Sequence, residues 1–419
     1  MEIKKNVQFT IPSQVDNRFF KRLFKTHSFF EGFVEMIDNS IDAEANHVYV
    51  TYNREESLLV FRDNGHGYIP ETIQDSLSFG MDIKRNKDAI GANNCGSKAA
   101  PYYFINDEKT NIIIEKIESN HNGIKTIVER KIDLSNEGIE NNLDNKITFL
   151  DTYDDNGTTV TFKGFICGEE EYTEVKRLIN ARYYKKIANG SLVLTVDGEV
   201  QNGIDMLYRD KDVDKKETTI MCQDENGEFE VKVLMVDTQS YLKNDNGNGN
   251  SAFNEERLND IDKNQSGKSS SAHFAGVYIC HNDIYVTMGG EDSFKHLKRA
   301  KHQYLNNCRI EIDIPIDRKR SLDGIIKTAT KKYLSDIKYD SNEVYANLFK
   351  WWKQNSPSKK VRKASGEDLK KCQRNAFSQS IEWFKSKLEN MDTDKYNNDE
   401  ALKEIFERIK VCIEGKKVA

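Results

Sequence analysis

The chain reads as an α/β protein, and three observations predict it. Residues 29–42 carry Phe30, Phe33, Val34, Ile37 and Ile41 at three- and four-residue steps, the period of one helix face. Alternating runs follow at 47–52 and 57–62, at 111–117 and 124–132, and at 146–150 and 158–163, with the two-residue period of strands. A second helical pattern at 169–188, in which Val175, Leu178, Ile179 and Tyr183 recur, precedes further strands at 191–196, 229–236, 275–280, 283–287 and 309–314. The order gives two α/β units in series and a helical remainder. Their expected bounds are 1–166, 167–337 and 338–419, with an Asn-, Gly-, Ser- and Asp-rich insertion at 244–272 inside the second.

At 419 residues the chain has room for two or three domains. Charged residues are 31%, hydrophobic ones 37% and aromatics 10%, the balance of a soluble globular protein. The net charge of −6 argues against an overall basic coat for nucleic acid but leaves room for a local basic face. Seven cysteines (95, 167, 222, 280, 308, 372 and 412) form no C-x-x-C and no zinc spacing, which suits a reducing cytosol. The first twenty residues have no apolar core of a leader, and no run approaches the length of a membrane span. A cytoplasmic protein with no membrane partner is expected.

In order along the chain, residues 1–28 are a polar lead-in with an apolar cluster at Phe19, Phe20, Leu23 and Phe24. On the 29–42 helix, Glu35, Asn39 and Asp42 stack on the face opposite the apolar one. Surface helices usually show long Lys and Glu chains there; short carboxylates and an amide are the groups that hold a metal or a water. After the first hairpin comes Asp63-Asn-Gly65-His-Gly67, a loop, and Pro70 opens a helix at its favoured first turn. Residues 80–94 are Gly-, Asn- and Lys-rich and read as a mobile loop, and 96–104 resume as a helix of small residues. Histidines 27, 47, 66, 121, 273, 281, 296 and 302 have no ligand spacing, so no structural metal is assigned.

Two stretches imitate a Walker A phosphate loop and fail. Asp262 to Ser269 has Asp where the first Gly belongs and sits in the most polar part of the chain, without the strand before it and helix after it. Gly91-Ala-Asn-Asn94-Cys-Gly96-Ser97-Lys98 has the glycines but inverts the final Lys-Ser pair. Taken alone, Asp63 to Gly67 is a common turn signal, Gly91 to Asn94 is loop material and Lys98 is a surface lysine.

Taken together and in this order, they resemble the GHKL ATPases, the superfamily of gyrase B subunits, heat-shock chaperones, MutL proteins, sensor kinases and MORC proteins. The resemblance is strongest to MORC ATPases. It rests on Thr26-His-Ser28, Ile37-Asp-Asn39-Ser-Ile-Asp42-Ala43, Ser78-Phe-Gly80 and Gly96-Ser97-Lys98, and it covers residues 26–100. It implies a Bergerat-type sandwich that binds ATP and Mg²⁺. Glu35 would be the general base toward the attacking water, and Asn39 would offer Mg²⁺ an amide oxygen. Asp42 joins the nucleotide-binding set. Asp63 would accept the adenine amine, with Gly65 and Gly67 letting the backbone approach the ring. Gly91, Asn94, Gly96, Ser97 and Lys98 would hold the phosphates at a helix N-terminus, and Thr159 would line the pocket. Asn94 stands where relatives carry Gly, and Asn is the residue that best tolerates a left-handed backbone.

The second unit, with Gly276 to Cys280 and Ile312-Asp-Ile-Pro315-Ile-Asp-Arg318-Lys319-Arg320, resembles the transducer domain of MORC and MutL, in which a lysine reaches the γ-phosphate. Lys319 is the match; a basic surface turn is the plain alternative. Residues 350–387 hold eleven Lys/Arg against three acids, with Trp351, Trp352, Trp383 and Phe384 interleaved, a composition that suits a phosphate backbone or a solvated helix over a core. The resemblance implies a nucleotide-dependent homodimer, with residues 80–95 as its lid and 1–25 crossing to the partner, acting on DNA or a DNA-bound effector protein. Prokaryotic relatives of this kind often belong to anti-phage systems. A sensor kinase is disfavoured, since the ATP boxes begin near residue 35, and a topoisomerase would need a cleaving module. A chaperone would need a client platform. From another class, a nucleotide-sensing scaffold that barely hydrolyses ATP stays open, though it has no use for Glu35.

Overall fold

A computed structural model describes residues 8–11, 28–73, 96–105, 111–133, 145–224, 227–238, 241, 274–290, 293, 308–314 and 338–339, with backbone alone for 8–11, 96–99, 220–224, 227 and 338–339. All lie within Met1–Lys350, the first of two units into which the chain divides. The expected lid, insertion, basic stretch and helical C-terminus fall outside the described residues, as do Gly91, Asn94 and Lys319.

Helix α1, Phe29–Asp42, starts where Glu31 accepts the Ser28 backbone N–H and, at 3.2 Å, the Ser28 hydroxyl. That reciprocal cap satisfies donors the first turn leaves open. Phe33 and Ile37 are fully buried, and Glu35, Asn39 and Asp42 are half-buried on the other side. The Phe33 ring meets Phe61 and Phe104 edge to face at 5.2 and 5.8 Å, each pair contributing about 0.5–1.5 kcal/mol beyond area burial. Helix α2, Gly96–Tyr103, lies close against α1: a Cβ at Gly32 would stand 2.4 Å from the Phe104 ring.

The described residues form a first sheet of nine strands: β1 Gln8–Ile11, β2 His47–Asn53, β3 Leu58–Asp63, β4 Ile112–His121, β5 Ile124–Asp133, β6 Asn145–Asp151, β7 Gly157–Lys163, β8 Val193–Val196 and β9 Glu199–Val200. Their order is β1-β6-β5-β4-β7-β3-β2-β8-β9, antiparallel except between β2 and β8. One face carries Val48, Val50, Leu59, Phe61, Ile113, Ile117, Val128, Ile147, Val160 and Phe162 into the core beneath the helices. The alternate positions are half-buried or exposed, as the two-residue period requires. Strands 146–150 and 158–163 are present but not neighbours, since β7 crosses to lie between β4 and β3. Val193–Val196, grouped by its position in the sequence with the second unit, is hydrogen-bonded to β2 in the first sheet. A short apolar run carries no signal of which sheet it joins.

Helices α3, Glu169–Arg182, and α4, Tyr184–Ala188, connect β7 to β8. The second sheet of the described residues has strands β10 Asp214–Asp224, β11 Gly227–Asp237, β12 Gly276–His281, β13 Ile284–Met288, β14 Cys308–Ile314 and β15 Lys338–Tyr339, in the order β13-β12-β14-β11-β10-β15. Its own core includes Tyr208, Val236, Tyr278 and Tyr285, while Ile284 packs into the first core. The α/β class is as the sequence predicts. Among the described residues no helix is long and apolar enough to cross a membrane.

Candidate functional site

Asp63 ends β3, directly opposite Val48 and Thr158 in the neighbouring strands. Its Oδ1 accepts the backbone N–H of Gly65 at 2.9 Å and of Thr158 at 3.3 Å. Its Oδ2 lies 3.1 Å from the Ser40 hydroxyl, which is also 3.2 Å from the Met36 carbonyl. Ser40 has one proton for two acceptors. One carboxylate oxygen is therefore filled by the main chain and the other keeps accepting capacity. Burial pushes the Asp63 carboxyl above its ordinary value, and the hydrogen bonds from Gly65, Ser40 and Thr158 pull it partly back.

The same Ser40 bond fastens the Asp63 loop to the last turn of α1, one residue from Asn39. His66 N–H closes the junction by donating to the Ala43 carbonyl at 2.9 Å. Gly65 and Gly67 are required by the protein's own backbone at this junction. A Cβ at 65 would lie 2.6 Å from the Ala43 carbonyl oxygen; one at 67, where φ is +73°, would lie 2.2 Å from that of Asn120. Asn39 places its amide nitrogen in a buried position with no hydrogen-bond partner among the described residues. An orphaned buried amide costs free energy, and one with no contact through nitrogen can turn its oxygen to a cation. The Asn39 amide oxygen is the kind of hard ligand Mg²⁺ takes; among the described residues no group of three or more His, Cys, Asp or Glu side chains comes together to hold a metal.

Not every predicted residue comes to this place. Thr159 points to the opposite face of the sheet, between its cross-strand partners Arg62 and Glu118; strand alternation brings Thr158 to Asp63 instead. The Thr158 hydroxyl is 3.0 Å from the buried Ser119 hydroxyl, which accepts the Tyr68 backbone N–H at 2.7 Å. Ser40, Ser119 and Thr158 were missed from the sequence. Ser40 and Thr158 each adjoin a residue singled out there, whereas Ser119 carries no signal in its Glu-Ser-Asn-His setting. Gly96, Ser97 and Lys98 form the first turn of α2, the position at which any helix leaves backbone N–H groups without intrahelical partners; the Ser97 and Lys98 side chains lie outside the described residues.

Residues 27–150 match the family model described as "Histidine kinase-, DNA gyrase B-, and HSP90-like ATPase". A comparison with curated proteins finds no match. Among solved structures, the chain is similar to the N-terminal domain of a DNA repair protein (12% identity, 80% of this chain and 95% of that one, TM-score 0.45). It is also similar to the ATPase region of Saccharomyces cerevisiae topoisomerase II (14%, 68% and 72%, TM-score 0.39). A third is the Aquifex aeolicus MutL ATPase domain complexed with ADP (13%, 71% and 97%, TM-score 0.33). Likenesses at this level transfer no residue roles.

Proposed function

We propose, from the match of residues 27–150 to the family model of histidine kinase-, DNA gyrase B- and HSP90-like ATPases, that the chain is an ATP hydrolase working as a nucleotide-driven clamp. ATP is held between the Asp63 loop and α1, and its binding and hydrolysis close and open a dimer that acts on DNA or a DNA-bound partner. The observation that carries the site is the Asp63 carboxylate, with Oδ1 filled by backbone donors and Oδ2 left to accept the adenine amine. Glu35 takes the proton of the attacking water, Asn39 would offer its amide oxygen to Mg²⁺, and Asp42 joins the nucleotide-binding set. That ion, when bound, draws charge from the phosphate oxygens. Gly91, Asn94, Gly96, Ser97 and Lys98 cradle the phosphates, and Lys319 reaches the γ-phosphate from the second unit. A MORC-like dimer is supported by the motifs in residues 26–100, and DNA by the basic composition of 350–387.

Turnover and calorimetry on purified protein test the site. Glu35→Ala should bind ATP as wild type does and lose turnover by about 100-fold or more, the usual worth of a positioned base. Turnover at the wild-type rate would remove Glu35 from that role. Lys319→Ala should lower kcat and leave ADP affinity alone, because ADP lacks the group contacted; an unchanged kcat would separate the second unit from the chemistry. For DNA, the salt slope of affinity should flatten when Lys359, Lys360, Arg362 and Lys363 become Ala. An unaltered slope would place DNA binding elsewhere. Service in an anti-phage system with an effector protein is the widest part of this reading; phage plating efficiency unaffected by the chain would contradict it.

A further inference from the structure

Asp38 stands between Glu35 and Asn39 on α1, and both of its carboxylate oxygens are taken by consecutive residues at the end of α3. Arg182 Nη2 donates to Oδ2 at 3.0 Å and the Tyr183 hydroxyl donates to Oδ1 at 2.7 Å. The Arg182 and Asp38 side chains are each 4% exposed. The same guanidinium donates from Nη1 to the Tyr285 carbonyl at 2.6 Å, on β13 of the second sheet. The Tyr285 hydroxyl donates to the Glu311 carboxylate on β14, which Arg209 and Lys185 also reach. Glu311 precedes Lys319 by eight residues in the chain. A continuous line of hydrogen bonds, passing through Tyr285 itself, runs from the helix of Glu35 and Asn39 to the strand that leads to Lys319.

A buried ion pair adds little net stability over an apolar pair of the same shape. What a guanidinium adds is geometry: two nitrogens in a rigid plane hold two partners at fixed angles, which an ammonium cannot do. We infer that Arg182 is a positioning residue for ATP hydrolysis, setting α1 by holding Asp38 and the Tyr285 carbonyl at once. The orientation of Glu35 and Asn39 then follows the second sheet. This rests on the reading of Glu35 as base and extends it to a residue that touches neither nucleotide nor water. A movement of β14 on nucleotide closure reaches α1 through Glu311, Tyr285 and Arg182.

The test is steady-state ATPase and ADP binding on the full chain carrying Arg182→Lys, Tyr285→Phe, Asp38→Asn, Glu311→Gln, and Asp38→Asn with Glu311→Gln. Each single change should lower kcat by about 3- to 30-fold and keep the ADP Kd within about twofold. Asp38 on α1 and Glu311 on β14 stand at opposite ends of this line, so independent structural effects would multiply in the double variant. A relay broken once loses nothing more when broken again, and the double variant should match the worse single. Multiplied losses, or wild-type kcat in both Tyr285→Phe and Glu311→Gln, would overturn the inference. Should Arg182→Lys fail to fold, Tyr285→Phe and Glu311→Gln decide alone, since they leave the Asp38–Arg182 pair in place. If instead Glu35→Ala turns over ATP like wild type, the assignment of the base falls first, and the positioning role with it.

Discussion

At Asp63, burial and hydrogen bonding pull in opposite directions, and burial wins. The folded state then holds the carboxyl proton more tightly than the unfolded chain does. The stability this contributes is complete below the ordinary carboxylate range and is lost as pH rises through the raised value. Asp63→Asn cannot ionise, so its stability relative to wild type should climb as pH rises from about 4; parallel urea-unfolding stabilities at stepped pH would contradict this. The backbone also dictates how the new amide sits. Gly65 and Thr158 donate to Oδ1, so the Asn oxygen must stay there and its NH₂ takes the Oδ2 position. A donor would then face the adenine amine, weakening ATP by about 10- to 100-fold and relaxing selectivity against GTP. Unchanged affinity and selectivity by calorimetry would rule out Asp63 as the base reader. That Asp63 closes a strand at the mouth of a loop was legible because a carboxylate before Gly-x-Gly is a pattern; that Thr158, and not Thr159, faces it was not, because which face a strand residue takes is set by register.

Secondary elements divide in the same way. Helix α1 was readable from its apolar and polar stripes, whereas its Ser28–Glu31 cap comes from the structure. Strand β10 was not, because Asp214–Asp224 opens on Lys, Lys and Glu and becomes a strand through pairing along its whole length with β11. Propensity yields there to the neighbouring strand. The turn at Gly67 offers a sharp check on the loop that carries Asp63. Gly67→Ala meets both a positive φ and the Asn120 carbonyl and should cost about 2–5 kcal/mol. Gly190→Ala has a similar φ of +76° with nothing within 4 Å, and should cost only about 1–2 kcal/mol. Equal losses by chemical denaturation would mean that the contact between Gly67 and β4 is not what holds the loop.

For the molecule as a whole, two α/β units in series are an expectation of the sequence, and the spacing carries no sign of how the two sheets are joined. Nothing in the spacing of Asp38, Arg182, Tyr285 and Glu311 announces that they form one buried network; only the fold brings them together. On the proposed reading, such a connection gives the nucleotide site a means of sensing the second sheet, which is what the proposed clamp requires. Ligand binding can drive closure only through its differential affinity for the closed state, so closure must persist while ATP remains uncleaved. The most direct test is the molar mass of the chain in solution, followed with time after ATP and Mg²⁺ are added to wild type and to Glu35→Ala. Both should become dimers, wild type should return to its starting mass as ATP is consumed, and Glu35→Ala should remain dimeric. A Glu35→Ala chain that stays at its starting mass with ATP, or reverts as fast as wild type, would contradict the proposed cycle.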